Sequence, residues 1–269
     1  MKRFTPLRGL ILLLLLGIVG VLLASNAGLN AYDQYDRLYD SPPEEARRVL
    51  FVGNSHTFYN DLPGMIQHLA HEEGKSIWVE GSLRGGATLG DHWENPNLHQ
   101  ALSQGRYDVV ILQGASLEPL FGADDYVENF QNLAALANEG GAIPILYEVW
   151  PRGESDRLYH EEWAPNSPEE FGTLIWATSE RALKGSSAVL APVGRAWEES
   201  RRRETGIQLY RQDGNHATRA GTYLAALVIY GVIAERELGK ELWRPGQISE
   251  SDGALLLEIA NQVVEKSRR

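Results

Sequence analysis

The chain has 269 residues, of which 43% are hydrophobic and 23% charged, and both values are ordinary for a globular protein. This length suits one large domain, which can bury a full core without a structural metal or disulfide bonds. The sequence contains no cysteine, which excludes thiol catalysis, cysteine-ligated zinc and disulfides. Because the formal net charge is −11, the surface repels phosphate backbones, and nucleic acid is not expected as a partner.

The first residues have the order of a secretory signal peptide. Basic residues precede an almost unbroken apolar run over residues 10–24, and small residues follow it up to Ala27. The run is shorter than the roughly 20 residues that span a bilayer. We predict that residues 1–27 are a signal peptide or, if uncleaved, an N-terminal membrane anchor. The basic flank then places the rest of the chain outside the cytoplasmic membrane, in the periplasm or the medium.

Downstream of a polar linker, predicted over residues 28–46, short apolar runs alternate with longer amphipathic stretches. The runs predict strands over residues 48–52, 77–80, 108–112, 143–149 and 188–193. The amphipathic stretches predict helices over residues 62–73, 125–139, 168–183, 217–238 and 249–266. Strands that alternate with helices imply parallel pairing. We therefore predict one domain over residues 47–269, a three-layer α/β/α sandwich with a central, mostly parallel five-stranded sheet.

In an open parallel sheet the reactive groups gather at the carboxyl ends of the strands. Ser55 follows the first predicted strand across Gly53, and a helical pattern begins soon after it. A serine at such a turn lies near free backbone N–H groups and a positive helix end, which stabilise an anion at an attacked carbonyl. The alternative interpretation is a helix-capping serine, which is common at this position.

A serine nucleophile needs a histidine base that a third group orients. His216 lies in the segment Asp213-Gly214-Asn215-His216, directly before a long apolar helix, and Asp213 can fold back across the glycine to the imidazole. The alternative is that Asp213 only forms the turn. His56, beside Ser55, is the rival base, but a neighbour at the next position is poorly placed to accept the serine proton.

Taken together and in this order, these segments resemble the SGNH (GDSL-like) hydrolases, an esterase superfamily. Gly53-Asn54-Ser55-His56-Thr57 resembles the first block of the family, G-D-S-x-S, with asparagine in place of aspartate and threonine in place of the last serine. Gly86, in Gly85-Gly86-Ala87-Thr88, matches the glycine whose amide joins the oxyanion hole, and Asp213 and His216 match the last block, D-x-x-H. The likeness is greatest to a bacterial subgroup with a G-N-S-x-T first block. It implies a flavodoxin-like fold, a triad of Ser55, Asp213 and His216, and no cofactor.

The third block of the family, G-x-N-D, is the one that the chain does not reproduce. Its asparagine donates to the oxyanion in the family, whereas this chain has Gln113 at the end of the third predicted strand. Gln113 offers the same carboxamide donor on a longer stem, so we expect it to complete the oxyanion hole with the amides of Ser55 and Gly86. The alternative is that Gln113 only caps the strand end.

Three further features bear on ligands. Asp91, His92 and His99 match no standard ligand spacing, so no metal is predicted, and His92 is expected to contact Trp93 at a helix end. The glycine-rich residues 81–90 lack the lysine of a phosphate loop. Aromatic rings near the long predicted loop over residues 151–166 suit a carbohydrate ester, or else they cover the core; these rings are Trp150, Tyr159 and Trp163.

The sequence therefore predicts an exported serine esterase that hydrolyses small carboxylic esters, with a small molecule or a carbohydrate O-acetyl ester as its substrate. Two alternatives stay open. An envelope glycan O-acetyltransferase would use the same triad, and an inactive carbohydrate-binding module would keep the fold alone. The oligomeric state is not encoded in these motifs.

Overall fold

The structure is a computed structural model, and it describes Leu38 and residues 41–240 and 242–268. The predicted signal peptide or anchor over residues 1–27 lies outside the described residues, as does most of the predicted linker. In the ranges that are described, each helix is too short or too polar to span a bilayer. The predictions of export and of a membrane anchor therefore stay predictions.

Five strands lie in the described part of the chain, and helices alternate with them. The strands are β1 (Arg47–Gly53), β2 (Ile77–Leu83), β3 (Val109–Leu112), β4 (Ile143–Tyr147) and β5 (Val189–Ala191). The helices are α1 (Ser55–Phe58), α2 (Leu62–Glu72), α3 (Leu89–Trp93), α4 (Pro96–Ser103), α5 (Glu118–Phe121), α6 (Ala123–Glu139), α7 (Pro168–Leu183), α8 (Val193–Arg202), α9 (Arg219–Ala234) and α10 (Glu250–Ser267). Short 3₁₀ turns occupy Tyr59–Asp61 and Arg157–His160.

All strands pair in parallel, in the order β2-β1-β3-β4-β5. Val49 of β1 lies opposite Val79 of β2 and Val109 of β3, so the three strands end at one edge of the sheet. The prediction of an α/β fold with a parallel five-stranded sheet is confirmed. The carboxyl edge of β1, β2 and β3 is where the segments that follow Gly53, Leu83 and Leu112 meet.

The core has two layers because side chains alternate along each strand. Val49 and Phe51 face a cluster that includes α2, α8, α9 and α10, whereas Leu50 and Val52 face one that includes α3, α4, α6 and α7. Helix α9 is apolar on all sides since it packs against α2, α8 and α10 as well as the sheet. These layers fix the positions of the strand ends that carry the site.

The helix ends differ from the predicted ones where capping residues set the boundary. Thr218 accepts a hydrogen bond from the Gly221 N–H, so α9 begins at Arg219 rather than at residue 217. The helix ends at Ala234, because Glu235 adopts a left-handed conformation. Helices α1, α3, α4 and α5 were not predicted, since each is too short for an amphipathic pattern to stand out. Helix α8 was also not predicted; it begins at Val193, which the predicted strand over residues 188–193 had included, whereas β5 ends at Ala191.

Candidate active site

Ser55 is placed by the turn from β1 into α1. The Asn54 side chain caps this helix and accepts from the His56 N–H at 3.1 Å. The Asn54 carbonyl accepts from the N–H groups of Thr57 and Phe58. A helix leaves its first four N–H groups without internal partners. Those of Asn54, His56 and Thr57 bond to Gln113 Oε1, Asn54 Oδ1 and the Asn54 carbonyl. The N–H of Ser55 has no such partner among the described residues.

The structure brings together the three residues predicted to form the triad. His216 Nε2 lies 3.0 Å from Ser55 Oγ, and His216 Nδ1 lies 2.6 Å from Asp213 Oδ2. Ser55 and His216 are 161 positions apart in the chain, so the fold alone produces this contact. The histidine is thus hydrogen-bonded on one side to a carboxylate and on the other to a hydroxyl, which is the arrangement that activates a serine.

The loop that carries Asp213 and His216 holds its own shape. Asp213 Oδ1 accepts from the N–H groups of Asn215 and His216, at 3.0 and 2.9 Å. The Arg211 N–H bonds to the His216 carbonyl, which closes the loop, and the Gly153 N–H binds the Gly214 carbonyl at 2.7 Å. Asp213 therefore holds the loop backbone and the imidazole at the same time. This explains how an aspartate only three positions before His216 can orient its ring.

The surroundings of the Asp213 carboxyl favour its ionised form. Partial burial favours its neutral form, but the hydrogen bonds from the His216 ring and from the backbone N–H groups of Asn215 and His216 outweigh this, and they lower the pKa of Asp213 to about 2. A negative charge beside Nδ1 stabilises the imidazolium that forms when Nε2 takes a proton.

His216 is also packed from one side by an aromatic ring that we did not single out in the sequence. The Tyr59 ring lies 4.4 Å from the His216 ring in an edge contact, and the Arg211 guanidinium lies over the Tyr59 ring at 5.6 Å. The only sequence signal was an aromatic residue four positions after Ser55. Tyr59 therefore packs directly against the imidazole whose Nε2 bonds to Ser55.

His56, the rival base, is buried, and its contacts are those of a structural residue. Its Nδ1 lies 3.3 Å from Asn54 Oδ1, and its ring lies 4.7 Å from that of Trp150. Burial, with the nearby charges of His216 and Arg152, lowers the pKa of His56 to about 3, so the ring stays neutral at neutral pH. The hydrogen bond of the Ser55 hydroxyl goes to His216 instead.

Gly86 lies in a tight turn next to this serine. The Ala87 N–H bonds to the Arg84 carbonyl, and Gly86 has a φ of +71°, as the third residue of a type II turn requires. The Arg84 N–H bonds to the Gly53 carbonyl, and the Ala87 carbonyl accepts from Asn54 Nδ2 at 2.9 Å. Both ends of the turn are thus tied to the segment that carries the nucleophile, and Gly86 lies between them.

Gln113 lies at the end of β3, as predicted, but its carboxamide is fully occupied. The side chain is buried, and its Oε1 accepts from the Asn54 N–H and the Thr57 hydroxyl, both at 2.9 Å. Its Nε2 donates to Asn54 Oδ1 at 3.1 Å and to the Gly114 carbonyl. No donor of this amide is left over in the described structure, so the geometry fits the capping alternative and gives the oxyanion role no support.

The residue that links the loops is Asn54, at the position where the family has aspartate. Its Nδ2 donates to the Ala87 carbonyl at 2.9 Å and to the Gly114 carbonyl at 3.4 Å, and its Oδ1 accepts from Gln113. An aspartate could not make the two donations. The three departures from the family pattern, Asn54, Thr57 and Gln113, are therefore direct partners in space, which a comparison of separate motifs could not reveal.

The two histidines that were considered as metal ligands, His92 and His99, have structural contacts. His92 is buried, and its Nε2 lies 3.0 Å from the Gly53 carbonyl, whereas the ring that packs against Trp93, at 4.4 Å, is that of His99. The expected contact of His92 with Trp93 is thus replaced by a contact of His99. Burial lowers the pKa of His92 to about 4. Among the described residues, no group of three or more acidic or histidine side chains is arranged to hold a metal.

The aromatic rings near the loop after β4 divide into structural and exposed ones. Trp150 is buried, stacks on Trp197 at 3.9 Å and donates to the Asn215 carbonyl. It therefore connects the core to the loop that carries Asp213 and His216. Tyr159 donates to the Arg152 carbonyl. Trp163 is 55% exposed and lies against Phe121, which is 60% exposed. Only Trp163, of the three rings singled out, is open enough to stack on a ligand.

A cavity of about 590 Å³ opens on the outer side of the loop that carries Asp213. Residues 151–155, the end of α8 and residues 204–212 line it, and neither Ser55 nor His216 does. This cavity is therefore separate from the Ser55 hydroxyl, which lies at the carboxyl edge of the sheet.

Comparison with known proteins gives matches among solved structures. No protein-family model and no curated protein matches the chain. A protein from Slackia heliotrinireducens, described as "a putative SGNH hydrolase", is 28% identical with a TM-score of 0.60 over 70% of this chain and 99% of its own. A DUF4886 family protein from Bacteroides uniformis is 18% identical, with a TM-score of 0.71 over 84% of this chain and 97% of its own.

An acetyl xylan esterase is 13% identical, with a TM-score of 0.56 over 69% of this chain and 99% of its own. At such identities the second and third structures establish likeness of fold, while the first adds likeness of sequence. The chain therefore has the fold of the SGNH hydrolases, and its structural neighbours are SGNH (GDSL-like) hydrolases and esterases, which supports the superfamily without singling out a subgroup.

Proposed function

We propose that the chain is a serine carboxylic ester hydrolase that works through an acyl-enzyme on Ser55. The observation that carries this proposal is the continuous hydrogen-bonded series from Asp213 through His216 to Ser55, with distances of 2.6 and 3.0 Å. The likeness to SGNH esterases supports the reaction type, and the G-N-S-x-T segment supports the subgroup that the sequence resembles.

In the first half-reaction, Ser55 Oγ attacks the acyl carbon while His216 Nε2 takes the hydroxyl proton. The ionised Asp213 holds the imidazole in the tautomer that leaves Nε2 free and stabilises the imidazolium. The carbonyl oxygen becomes negative in the tetrahedral intermediate. The N–H of Ser55, which heads α1, and that of Gly86, in the neighbouring turn, are the donors that we assign to it.

Collapse of the intermediate breaks the bond to the alcohol, which leaves with the proton from His216. Water then enters, gives a proton to His216 Nε2 and attacks the acyl carbon, and the second intermediate releases the acid and restores Ser55. The protein groups named here are enough for each of these steps, so the proposal requires no cofactor.

For the substrate, we propose a small carboxylic ester, with the O-acetyl ester of a carbohydrate as the finer form. The neighbour named as an acetyl xylan esterase and the exposed rings of Phe121 and Trp163 support the finer form. We also propose that the protein acts outside the cytoplasmic membrane, as the sequence of residues 1–27 predicts. Fractionation of cells that make the full chain tests this, and recovery from the cytosol would contradict it.

The reaction itself is tested with p-nitrophenyl acetate and Ser55→Ala. Loss of the nucleophile should lower kcat/KM by several orders of magnitude while circular dichroism and the melting temperature stay close to those of the wild type. Ser103→Ala, at an exposed position on α4, is the matched control and should keep full activity. A Ser55→Ala protein that retains more than about a tenth of the wild-type rate would refute the assignment.

A further inference from the structure

Glu118, at the start of α5, connects two loops that are far apart in the chain. Its Oε1 accepts from the Leu89 N–H at 3.0 Å, and its Oε2 accepts from the Ala115 N–H at 2.7 Å. Leu89 is the first residue of α3, two positions after the turn that contains Gly86, and Ala115 is the third residue after the end of β3. One carboxylate thus joins the segments that follow β2 and β3.

These are the segments that define where Gly86 lies relative to Ser55. The turn that contains Gly86 is held on the nucleophile side by the bonds from Arg84 to the Gly53 carbonyl and from Asn54 to the Ala87 carbonyl. On its other side, the bond from the Leu89 N–H to Glu118 is a direct tie to the segment after β3. Loss of this tie would leave the turn held by Asn54, which donates to the Ala87 and Gly114 carbonyls, and by the ion pair of Arg84 with Asp91.

The chain around Glu118 leaves space for the carboxylate. A Cβ atom at Gly114 would lie 2.8 Å from Glu118 Oε2 and 2.5 Å from the Tyr126 ring, which is closer than real Cβ contacts come. Tyr126 is buried against this position. Gly114 is therefore the residue that lets the carboxylate reach both N–H groups.

The carboxylate is held where its ionised form is costly. Burial raises the pKa of Glu118 to about 7, with a further contribution from the charges of Asp91 and Asp125, although the two backbone N–H bonds lower it. A carboxylate that served only solubility would lie in water, where its ionised form is not destabilised by burial. Here the destabilisation by burial is offset by two bonds from backbone N–H groups of separate loops.

We propose that Glu118 is a positioning residue for the oxyanion hole: it fixes the Gly86 turn against the end of β3, and so sets the distance from the Gly86 N–H to the acyl oxygen. This inference rests on the proposed esterase function. It assigns a role to a side chain that does not touch the substrate and belongs to none of the family blocks.

The variant that tests it is Glu118→Gln. The amide keeps one acceptor oxygen and turns an NH₂ group toward a backbone N–H, so one of the two bonds is lost without a change of size. A displaced donor costs transition-state stabilisation and leaves ground-state binding almost unchanged. We expect kcat, per site titrated with a fluorophosphonate, to fall about 10- to 100-fold and KM to stay within about threefold.

A second readout is the affinity for phenylboronic acid, which forms a tetrahedral adduct with the serine and mimics the oxyanion. Its Kd should rise in Glu118→Gln by a factor close to the loss in kcat. The matched control is Glu128→Gln, at an exposed position on α6, which should change neither quantity. If Glu118→Gln has a lower melting temperature but the wild-type kcat per titrated site and the wild-type boronate affinity, the positioning role is wrong.

Amide hydrogen exchange makes the test independent of activity. Residues 84–89 and 113–116 should exchange at least about tenfold faster in Glu118→Gln than in Glu128→Gln, because local opening no longer breaks both bonds. Unchanged exchange in both segments would overturn the proposal even in an active enzyme. If the wild type hydrolyses no ester, the proposed function fails, and faster exchange would still establish Glu118 as the tie between the loops.

Discussion

The two sides of Ser55 are built in different ways. On the histidine side, Asp213 and His216 belong to one short loop whose shape the aspartate itself maintains through bonds to two backbone N–H groups and the imidazole. On the oxyanion side, the Gly86 turn is held by Asn54 and Glu118, which lie 33 and 29 positions from their partners in that segment. One side is a local motif, and the other is a network of long-range contacts.

This contrast explains why Asp213, His216 and Gly86 could each be matched within a short segment of sequence, whereas the distant side chains that hold the Gly86 turn could not be identified in this way. The local loop is also the more exposed, since the Asp213 side chain is 47% exposed, whereas Asn54 and Gln113 are buried. A substitution in the exposed loop should therefore change chemistry with little loss of stability. A substitution in the buried network should change both.

The largest expected effect is that of His216→Ala. Loss of the base leaves Ser55 without a proton acceptor, so kcat/KM for p-nitrophenyl acetate should fall by about 10⁴-fold or more, close to the effect of Ser55→Ala. The urea midpoint should shift little, because the ring is partly exposed. His160→Ala, at an exposed position, serves as control. An activity loss below about tenfold would remove His216 from the triad.

A smaller effect on activity is expected on the oxyanion side from Asn54→Asp, which restores the residue of the family pattern. A carboxylate cannot donate to the Ala87 and Gly114 carbonyls and would face both oxygens at close range. We expect kcat to fall about 10- to 100-fold and stability to fall by about 2–4 kcal/mol in urea denaturation. A variant as stable and active as the wild type would show that the two donations are dispensable.

Gln113→Ala distinguishes a strand cap from an oxyanion donor. Because both N–H groups of its amide are used within the protein, the variant should lose about 2–4 kcal/mol of stability, while kcat per titrated site falls less than about tenfold. Removal of a true oxyanion donor costs about 10²–10³ in kcat. A loss of that size in the folded, titrated fraction would return Gln113 to the oxyanion hole.

The smallest effect on activity, and a distinct effect on stability, is expected from His56→Gln. The native pKa of His56 is about 3, against about 6.5 in the unfolded chain. Below pH 6.5 the unfolded state therefore binds a proton that the native state does not, and stability falls as the pH falls, by about 1.4 kcal/mol per unit at most. His56→Gln removes this contribution, so the slope of stability against pH should be less steep.

The other titratable groups with shifted pKa values are the same in the wild type and in His56→Gln. His92 acts in the same direction as His56, whereas the raised pKa of Glu118 and that of Glu148, both about 7, make the native state bind protons more tightly and oppose it. The difference between wild type and variant therefore isolates His56. Urea midpoints between pH 5 and pH 7 measure it, and equal slopes would contradict the buried, neutral state of this ring.

The sequence predicted the sheet, its parallel pairing and the three residues that meet at its edge, because each depends on a local pattern. Apolar runs predict buried strands, and Asp213-Gly214-Asn215-His216 predicts a self-contained loop. The role of Gln113 could not be read in the same way. Its position after β3 was correct, but the direction of its amide depends on Asn54, which lies 59 positions away.

Glu118 and Tyr59 carried no signal that separated them from other surface residues. Glu118 looks like an ordinary acidic residue at the start of a short helix, and its contact with Leu89 exists only because α3 and α5 flank the same strand ends. For Trp150 the sequence left two alternatives, a binding surface or a ring that covers the core. The stacking of Trp150 on Trp197 fits the second alternative.

The most direct test of the account is covalent labelling of the nucleophile. The wild-type protein is incubated with a fluorophosphonate, and the modified residue is located by peptide mapping with mass spectrometry. We expect close to one adduct per chain, on Ser55, formed much more slowly in His216→Ala and absent in Ser55→Ala. An adduct on another serine, or a folded wild-type protein that remains unlabelled, would contradict it.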